Sequence, residues 1–139
     1  MLQPGTILAD ELDDIQVAKT IAGEAIGEGY VGMYAVACVI QNRMIKSSMS
    51  KRPILRPVEV TRVGFYGKDN KVALRGYLKA KKALLKLVYT LNRLELKDIT
   101  GGATHFENVE AYGRPRWSKN MIITCKIGRH TFFKIRERS

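Results

Sequence analysis

The stretch that decides the fold of this 139-residue chain runs from Thr20 to Arg43 and reads TIAGEAIGEGYVGMYAVACVIQNR. Its first residues continue a helical apolar pattern, for which we expect Asp13 to be the N-cap. Gly27 and Gly29 are expected to end that helix. The apolar positions that follow predict a second helix from about Gly32 to Met44.

The remaining sequence predicts one more long helix and a minor β or loop element. Helical periodicity is clearest from Lys71 to Leu94, whereas Lys46 to Pro57 is typical of a loop. Short strands or irregular segments are expected at 103–106 and 121–124, with a closing strand at 127–133. The apolar face of the long helix is predicted to comprise Leu74, Tyr77, Leu78, Leu84, Leu85, Val88 and Leu91. We therefore expect a mostly α (α+β) protein in which residues 1–139 form a single domain.

Charge is distributed unevenly along the chain. The net charge is +11, but residues 1–28 hold six acidic residues and one basic residue, which leaves a net +16 on the rest. Such a field attracts polyanions, and both nucleic acid and anionic cell wall are candidate partners. The basic residues of the 71–94 helix form either a solvated face or an anionic docking surface. No apolar run approaches the roughly 20 residues of a membrane span.

The two cysteines and two histidines are scattered, so no zinc-ligand spacing is present, and we predict neither a metal nor another cofactor. Cys38 lies in an apolar run and is expected to be a buried thiol. A bridge between Cys38 and Cys125 stays open, because sequence cannot test its geometry.

Glu24 and Glu28 are four residues apart, a spacing that places two side chains on one helix face. Glu24 extends the apolar stripe of Val17, Thr20 and Ile21, so we expect it to face inward at the floor of a cleft. A partly desolvated carboxyl keeps its proton more readily, as a general acid in glycoside cleavage requires. The alternative is a pair of surface glutamates at a frayed helix end.

A second group of residues has the composition of a sugar-binding site. Aromatic faces and hydrogen-bonding side chains occur together between positions 104 and 117. The alternative is a loop with a few core aromatic residues, and His130 is interpreted as structural. The candidate substrate-binding residues are Tyr66, Thr104, His105, Phe106, Asn108 and Trp117.

Three ordered segments resemble the SleB-like, spore-cortex-lytic type of cell wall hydrolase. Residues 20–43 resemble that family's G-E-A-x-G-E block and the A-V-A-x-V-I-x-N-R block that follows it. Residues 98–108 are similar to its D-x-T-G-x-A segment, and Trp117 with 126–134 resembles its W…K-I-G-x-H-x-F-x-K ending. The resemblance covers about residues 14–134.

This resemblance implies a lysozyme-like or lytic-transglycosylase-like fold that cleaves peptidoglycan between N-acetylmuramic acid and N-acetylglucosamine. The catalytic glutamate of the family corresponds to Glu24, and Glu28 becomes an auxiliary or structural residue that could accept a hydrogen bond from a glycine-loop amide. Two positions depart from the pattern. Tyr66 is only the nearest match to a cleft-lining aromatic segment, and His105 stands where an aromatic residue such as Tyr is common.

Because no firm acidic partner for Glu24 is visible, a single-acid lytic transglycosylase giving a 1,6-anhydro product fits better than a hydrolase. A nucleic-acid-binding module without catalysis is the main alternative, and an amidase would call for zinc ligands. We expect a monomer that acts on the cell wall, in the periplasm or outside the cell, and binds no specific nucleic acid. The absence of a signal peptide and a wall-binding domain suits a phage endolysin or virion-associated lysin.

Overall fold

The computed structural model describes residues 9–49, 55–65 and 71–136. The first part of the chain contains three long helices, α1 (Ala9–Glu24), α2 (Gly29–Ser48) and α4 (Lys71–Asn92), with the short α3 (Pro57–Val60) between α2 and α4. The second part of the chain contains β1 (His105–Glu107), α5 (Val109–Tyr112), a 3-10 turn (Arg116–Ser118), β2 (Met121–Ile127) and β3 (His130–Ile135). The mostly helical architecture with a small β element is as predicted.

Helix α1 starts earlier than the sequence pattern suggested. Asp13 was expected to cap the helix, but it lies inside α1 and its carboxylate pairs with Arg56 at 2.8 Å. The first turn instead contains Asp10 and Glu11, whose charges favour a helix N-terminus. At the other end the prediction is confirmed for Gly27, which adopts a φ of 75° in the turn that separates α1 from α2. Gly29, also expected to end α1, is instead the first residue of α2.

Helix α2 forms the centre of the core and is longer than predicted. Residues 35–40 are all fully buried, because α1, α3 and α4 pack around α2 and β2 also contacts it. Residues 46–48, expected in a loop, form its last turn. Cys38 is buried as expected, burial raises the pKa of its thiol to about 11, and neither Cys38 nor Cys125 is in a disulfide.

Helix α4 packs mainly against α1. Its buried residues include Tyr77, Leu84 and Val88, as the periodicity predicted. Leu74 and Leu78, however, are exposed, so their placement on the apolar face was wrong. The contacts of α4 with α1 and α2 cover a narrower arc than the apolar pattern spans, and Ala73 and Leu87 complete that arc.

The sheet is antiparallel with strand order β1-β3-β2. Strand β2 extends to Ile127, further than predicted, and turns through Gly128 and Arg129 into β3. A closing strand is present as expected, but it begins at His130 and not at Ile127, because 127–129 end β2 and form the turn. Phe132 and Phe133 of β3 are buried. Strand β1 pairs with β3 so that His105 lies opposite Phe133, which fixes the position of the candidate sugar-binding segment.

Within residues 9–49, 55–65 and 71–136, no helix combines the length and the apolar character needed to cross a bilayer.

Candidate active site

A cleft of about 720 Å³ opens where the α1–α2 turn faces the β2–β3 turn and strand β1. We call it the main cleft. Most of the residues predicted for the site lie on its walls, although they come from both ends of the chain. These residues are Glu24, Glu28, His105, Phe106, Asn108 and Trp117.

Glu24 is the last residue of α1 and lies half-buried on the wall of the main cleft. Thr20, one turn earlier, is fully buried, so the helical stripe does lead from the core into the cleft. The negative charge of Glu24 also acts on Arg43, another residue of this wall: it raises the pKa of Arg43, which burial lowers more strongly. The carboxylate therefore lies in the field of a half-buried cation.

Arg43 ends the 20–43 segment that resembles the family motif, but it was not predicted as a site residue. Its Nε donates to the carbonyl of Thr104 at 2.6 Å, and a terminal nitrogen donates to the carbonyl of Val63 at 3.1 Å. Its guanidinium also lies 4.7 Å from the ring centre of Phe65. Arg43 thus joins α2 to two loops of the cleft and supplies its half-buried positive charge.

The 98–104 loop, which leads into β1, is held by a hydrogen-bond network around Asp98. One carboxylate oxygen of Asp98 accepts from the amide and hydroxyl of Thr100, and the other accepts from the Gly102 amide at 2.7 Å. Partial burial raises the pKa of Asp98, but these hydrogen bonds and one from Asn42 outweigh it and lower the pKa overall. Asn42 also donates to the Ala103 carbonyl, which anchors the loop to α2.

Glu28 connects the α1–α2 turn to the far end of the chain. Its Oε1 accepts from the backbone amide of Arg129 at 3.0 Å, in the turn between β2 and β3. This is the kind of glycine-loop contact that was considered for Glu28, because Gly128 immediately precedes that amide. The contact holds two walls of the main cleft together.

Aromatic rings line the opposite side of the cleft. Trp117 is partly exposed, its ring centre lies 5.1 Å from that of His105, and its edge packs on the buried Phe133. Asn108 caps α5, because its side-chain oxygen accepts a hydrogen bond from the backbone N–H of Ala111. This bond does not use the side-chain nitrogen of Asn108, which can donate to another group.

Thr104 lies behind this wall rather than on it. It is buried, its hydroxyl is 2.9 Å from Nδ1 of His105, and it lines two adjoining cavities instead of the main cleft. Burial lowers the pKa of His105, and the charges of Arg43 and Lys46 lower it further. Tyr66, the remaining predicted contact, lies outside the described residues.

Two further groups line the main cleft, Glu107 and His130, and the sequence patterns did not indicate either of them as a site residue. Glu107 of β1 also lines it, and one of its carboxylate oxygens accepts a hydrogen bond from the backbone N–H of Asn108 at 3.0 Å. His130, interpreted as structural, lines it too, and its buried Nδ1 has no hydrogen-bond partner among the described residues. Glu107 lies in the 98–108 segment and His130 in the 126–134 segment, both of which resemble family motifs. Their place in these motifs was therefore the signal that could have identified them.

Titration of His130 is governed by burial and by three carboxylates. Burial lowers its pKa, whereas Glu28, Glu24 and Glu107 act in the opposite direction. These same carboxylates line the main cleft with Arg43 and Arg129. Across residues 9–49, 55–65 and 71–136, no three His, Cys, Asp or Glu side chains cluster as a metal site would require.

Known proteins resemble this chain over most of its length. The chain is 34% identical to a spore cortex-lytic enzyme of Halalkalibacterium halodurans over 125 residues, which are 86% of this chain and 34% of that protein. It is also 34% identical to a spore cortex-lytic enzyme of Bacillus cereus over 127 residues, 88% of this chain and 44% of that protein. The chain thus spans less than half the length of these relatives.

A solved structure is also similar. The catalytic domain of the germination-specific lytic transglycosylase SleB from Bacillus anthracis is 28% identical, with a TM-score of 0.49, and the match covers 96% of this chain and all of that domain.

The sequence profile of one family matches most of the chain. That family is described as Cell Wall Hydrolase, and the match covers residues 27–133, so it begins just after Glu24. It includes Glu28, Arg43, Glu107, Trp117 and His130 of the main cleft, and it confirms the family resemblance that the three motifs indicated. The chain is therefore a member of the cell wall hydrolase family.

Proposed function

We propose that this chain cleaves the glycan strand of peptidoglycan between N-acetylmuramic acid and N-acetylglucosamine, with Glu24 as the general acid. The observation that carries this proposal is the position of Glu24, a half-buried carboxyl on the wall of a polymer-sized cleft with an aromatic wall. Membership of the cell wall hydrolase family supports the same substrate. Relatives named spore cortex-lytic enzymes also support it.

In the proposed reaction Glu24 protonates the bridging glycosidic oxygen while the bond from the muramic acid C1 to that oxygen breaks. The sugar passes through an oxocarbenium-like state. Its own C6 hydroxyl then attacks C1, and the Glu24 carboxylate takes the hydroxyl proton, which regenerates the acid. The product is a 1,6-anhydro sugar, so no water is consumed and one carboxyl performs both proton transfers.

The aromatic side of the main cleft is proposed to hold the sugars. Trp117 and Phe106 offer apolar ring surface for sugar faces, and the Asn108 amide nitrogen can donate to a hydroxyl or acetamido oxygen. His105 packs against Trp117 and fixes its ring. Thr104 acts in this proposal by holding His105 through its hydroxyl.

Hydrolysis is the second candidate, and the presence of Glu107 on the main cleft favours it. A hydrolase needs a second carboxylate, which either activates water or attacks the sugar directly. Glu28 is less suited to this role because it lies in the α1–α2 turn, on the same wall as Glu24, whereas Glu107 belongs to β1, which faces that turn. In a hydrolase, Glu107 would therefore be the second carboxylate.

The deciding experiment digests purified peptidoglycan with the wild type, Glu24→Gln and Glu107→Gln, and identifies the released fragments by mass spectrometry. Glu11→Gln is the matched control, because Glu11 is an exposed carboxyl on the same helix. We expect anhydro-muramyl ends from the wild type, Glu11→Gln and Glu107→Gln. Glu24→Gln should fold normally and lose about 10³-fold or more of the rate, since the general acid is gone.

Three results would argue against this assignment. Ordinary reducing ends, lost in Glu107→Gln, would make the enzyme a hydrolase that uses both carboxylates. Near-full activity of Glu24→Gln would remove Glu24 from the chemistry. If the wild type releases no fragments and instead binds DNA in a salt-dependent way, the basic nucleic-acid-binding module becomes the better description.

The place of action follows from the proposed substrate. We propose that the chain works on the cell wall, outside the cytoplasm. Two further statements stay predictions. The genomic neighbourhood would test phage-encoded delivery, and size-exclusion chromatography would test the monomeric state.

A further inference from the structure

A second cavity of about 400 Å³ opens beside the main cleft. The two cavities share Arg43, Val63 and His105 as a common wall. We call the second one the side cavity, and its own walls come from the last turns of α2, from α3 and from the end of β3. It therefore adjoins the main cleft across these three residues.

The side cavity has a composition unlike that of the main cleft. Its walls are largely aliphatic and include Leu55, Val60 and Ile135, whereas aromatic rings dominate the main cleft. In addition to the shared Arg43, two opposite charges lie among these walls, Lys46 from α2 and Glu59 from α3. The surface is thus suited to a ligand that carries small apolar groups together with both an anionic and a cationic group.

Both charged groups have defined positions. One oxygen of Glu59 accepts the backbone amide of Arg56, which fixes the carboxylate at the start of α3. Lys46 is exposed on the last turn of α2, and its charge reaches the shared wall, where it contributes to lowering the pKa of His105.

A glycan strand by itself offers little to such a cavity, since its repeating sugars carry hydroxyl and acetamido groups and no cations. Peptidoglycan differs from a plain glycan because each muramic acid carries a lactyl group from which a short peptide branches. That peptide contains alanine methyl groups, free carboxylates and a diamino acid. Aliphatic walls can bury the methyl groups, Lys46 can pair with a carboxylate, and Glu59 can accept the amine.

We propose that the side cavity binds the peptide that branches from muramic acid, so that the enzyme prefers peptide-bearing glycan over bare glycan. This inference rests on the proposed function, because the strand must lie in the main cleft for its branch to reach the side cavity. It also gives the shared wall residues a second role, since Val63 and His105 separate the strand from its branch.

The test compares two matched substrates: purified peptidoglycan strands, and the same strands after an N-acetylmuramoyl-L-alanine amidase has removed the peptides. We expect the wild type to have a kcat/KM about tenfold higher on the peptide-bearing strands, as one buried methyl group and one exposed ion pair would give. Lys46→Glu should lower kcat/KM about fivefold on the peptide-bearing strands and leave the stripped strands unchanged.

Lys82→Glu is the matched control, because it makes the same charge change at an exposed position on α4, away from both cavities. It should leave the ratio of the two kcat/KM values as in the wild type, and Lys46→Arg should keep most of the preference.

Two outcomes would overturn the inference and leave the proposed function intact. One is equal kcat/KM of the wild type on both substrates. The other is an equal loss on both substrates in Lys46→Glu, which would make the side cavity a sugar subsite. If the wild type cleaves neither substrate, both the inference and the proposed function fail.

Discussion

At the scale of single residues, Gly128 has the tightest constraint in the site. It has a φ of 58°, which side-chain-bearing residues rarely adopt, and a Cβ atom there would lie 1.7 Å from a carboxylate oxygen of Glu28. The Glu28 contact with the Arg129 amide and the absence of a side chain at Gly128 therefore depend on each other.

Gly128→Ala should destabilise the protein more than Gly113→Ala. Gly113 also has a positive φ, 75°, but a Cβ there meets no atom within 4 Å. Backbone strain alone costs about 1–3 kcal/mol, so we expect Gly113→Ala in that range and Gly128→Ala beyond it. Chemical denaturation measures both. In a Glu28→Ala background the difference between the two should disappear, and equal losses in the wild-type background would contradict the proposed contact.

His130 should make stability depend on pH. Because burial lowers its pKa below the ordinary value of about 6.5, the folded state binds a proton less readily than the unfolded chain. Stability should therefore fall as the pH drops from about 7.5 to about 5.5. The carboxylates Glu28, Glu24 and Glu107 reduce this effect but do not reverse it. His130→Gln should reduce the change in denaturation midpoint across this range without abolishing it, because the lowered pKa of His105 acts in the same direction. An unchanged slope would show that His130 does not titrate there.

At the scale of secondary-structure elements, two helical glycines differ in the space available for a side chain. A Cβ at Gly76 of α4 would lie 3.5 Å from the Cβ of Ala22, an ordinary packing distance. A Cβ at Gly32 of α2 would lie 2.2 Å from the Cβ of Glu28. The α1–α4 interface therefore has room for a methyl group, whereas the start of α2 has none.

Gly76→Ala is expected to stabilise the protein by about 0.5–1 kcal/mol, because alanine restricts the unfolded chain and favours the helix. Gly32→Ala should destabilise it and also lower activity, since Glu28 would be displaced from the Arg129 amide. Thermal unfolding of both variants measures the two signs. A destabilised Gly76→Ala would mean that α4 packs on α1 more closely than described.

At the scale of the whole molecule, the net charge of +11 should govern the encounter with an anionic wall. Raising the ionic strength from about 0.1 M to about 1 M shortens the Debye length from about 10 Å to about 3 Å. We expect KM for wall particles to rise across this range while kcat changes little, because screening affects association more than the half-buried Glu24. Sucrose at matched osmolality is the control, and a KM that does not depend on salt would remove the role of the global charge.

Local sequence patterns determined the main helices and the central part of the site. The apolar positions between 32 and 44 predict a buried helix, and the apolar stripe of α1 continues to Glu24, where the core meets the main cleft. Helical periodicity is a property of neighbouring residues, which is why it can be identified without a structure. The terminal residues of α1 and α2 were less well predicted, because capping and packing at helix ends compete.

Only the tertiary structure decided which distant groups meet. The hydrogen bond from Arg129 to Glu28 joins residues 101 positions apart. Glu107 and His130 become cleft residues because β1 pairs with β3 and the β2–β3 turn folds against the α1–α2 turn. The side cavity likewise exists because α3 packs on α2. Side chains meet in this way through packing and hydrogen bonds between elements, and no local pattern in a single sequence records that pairing.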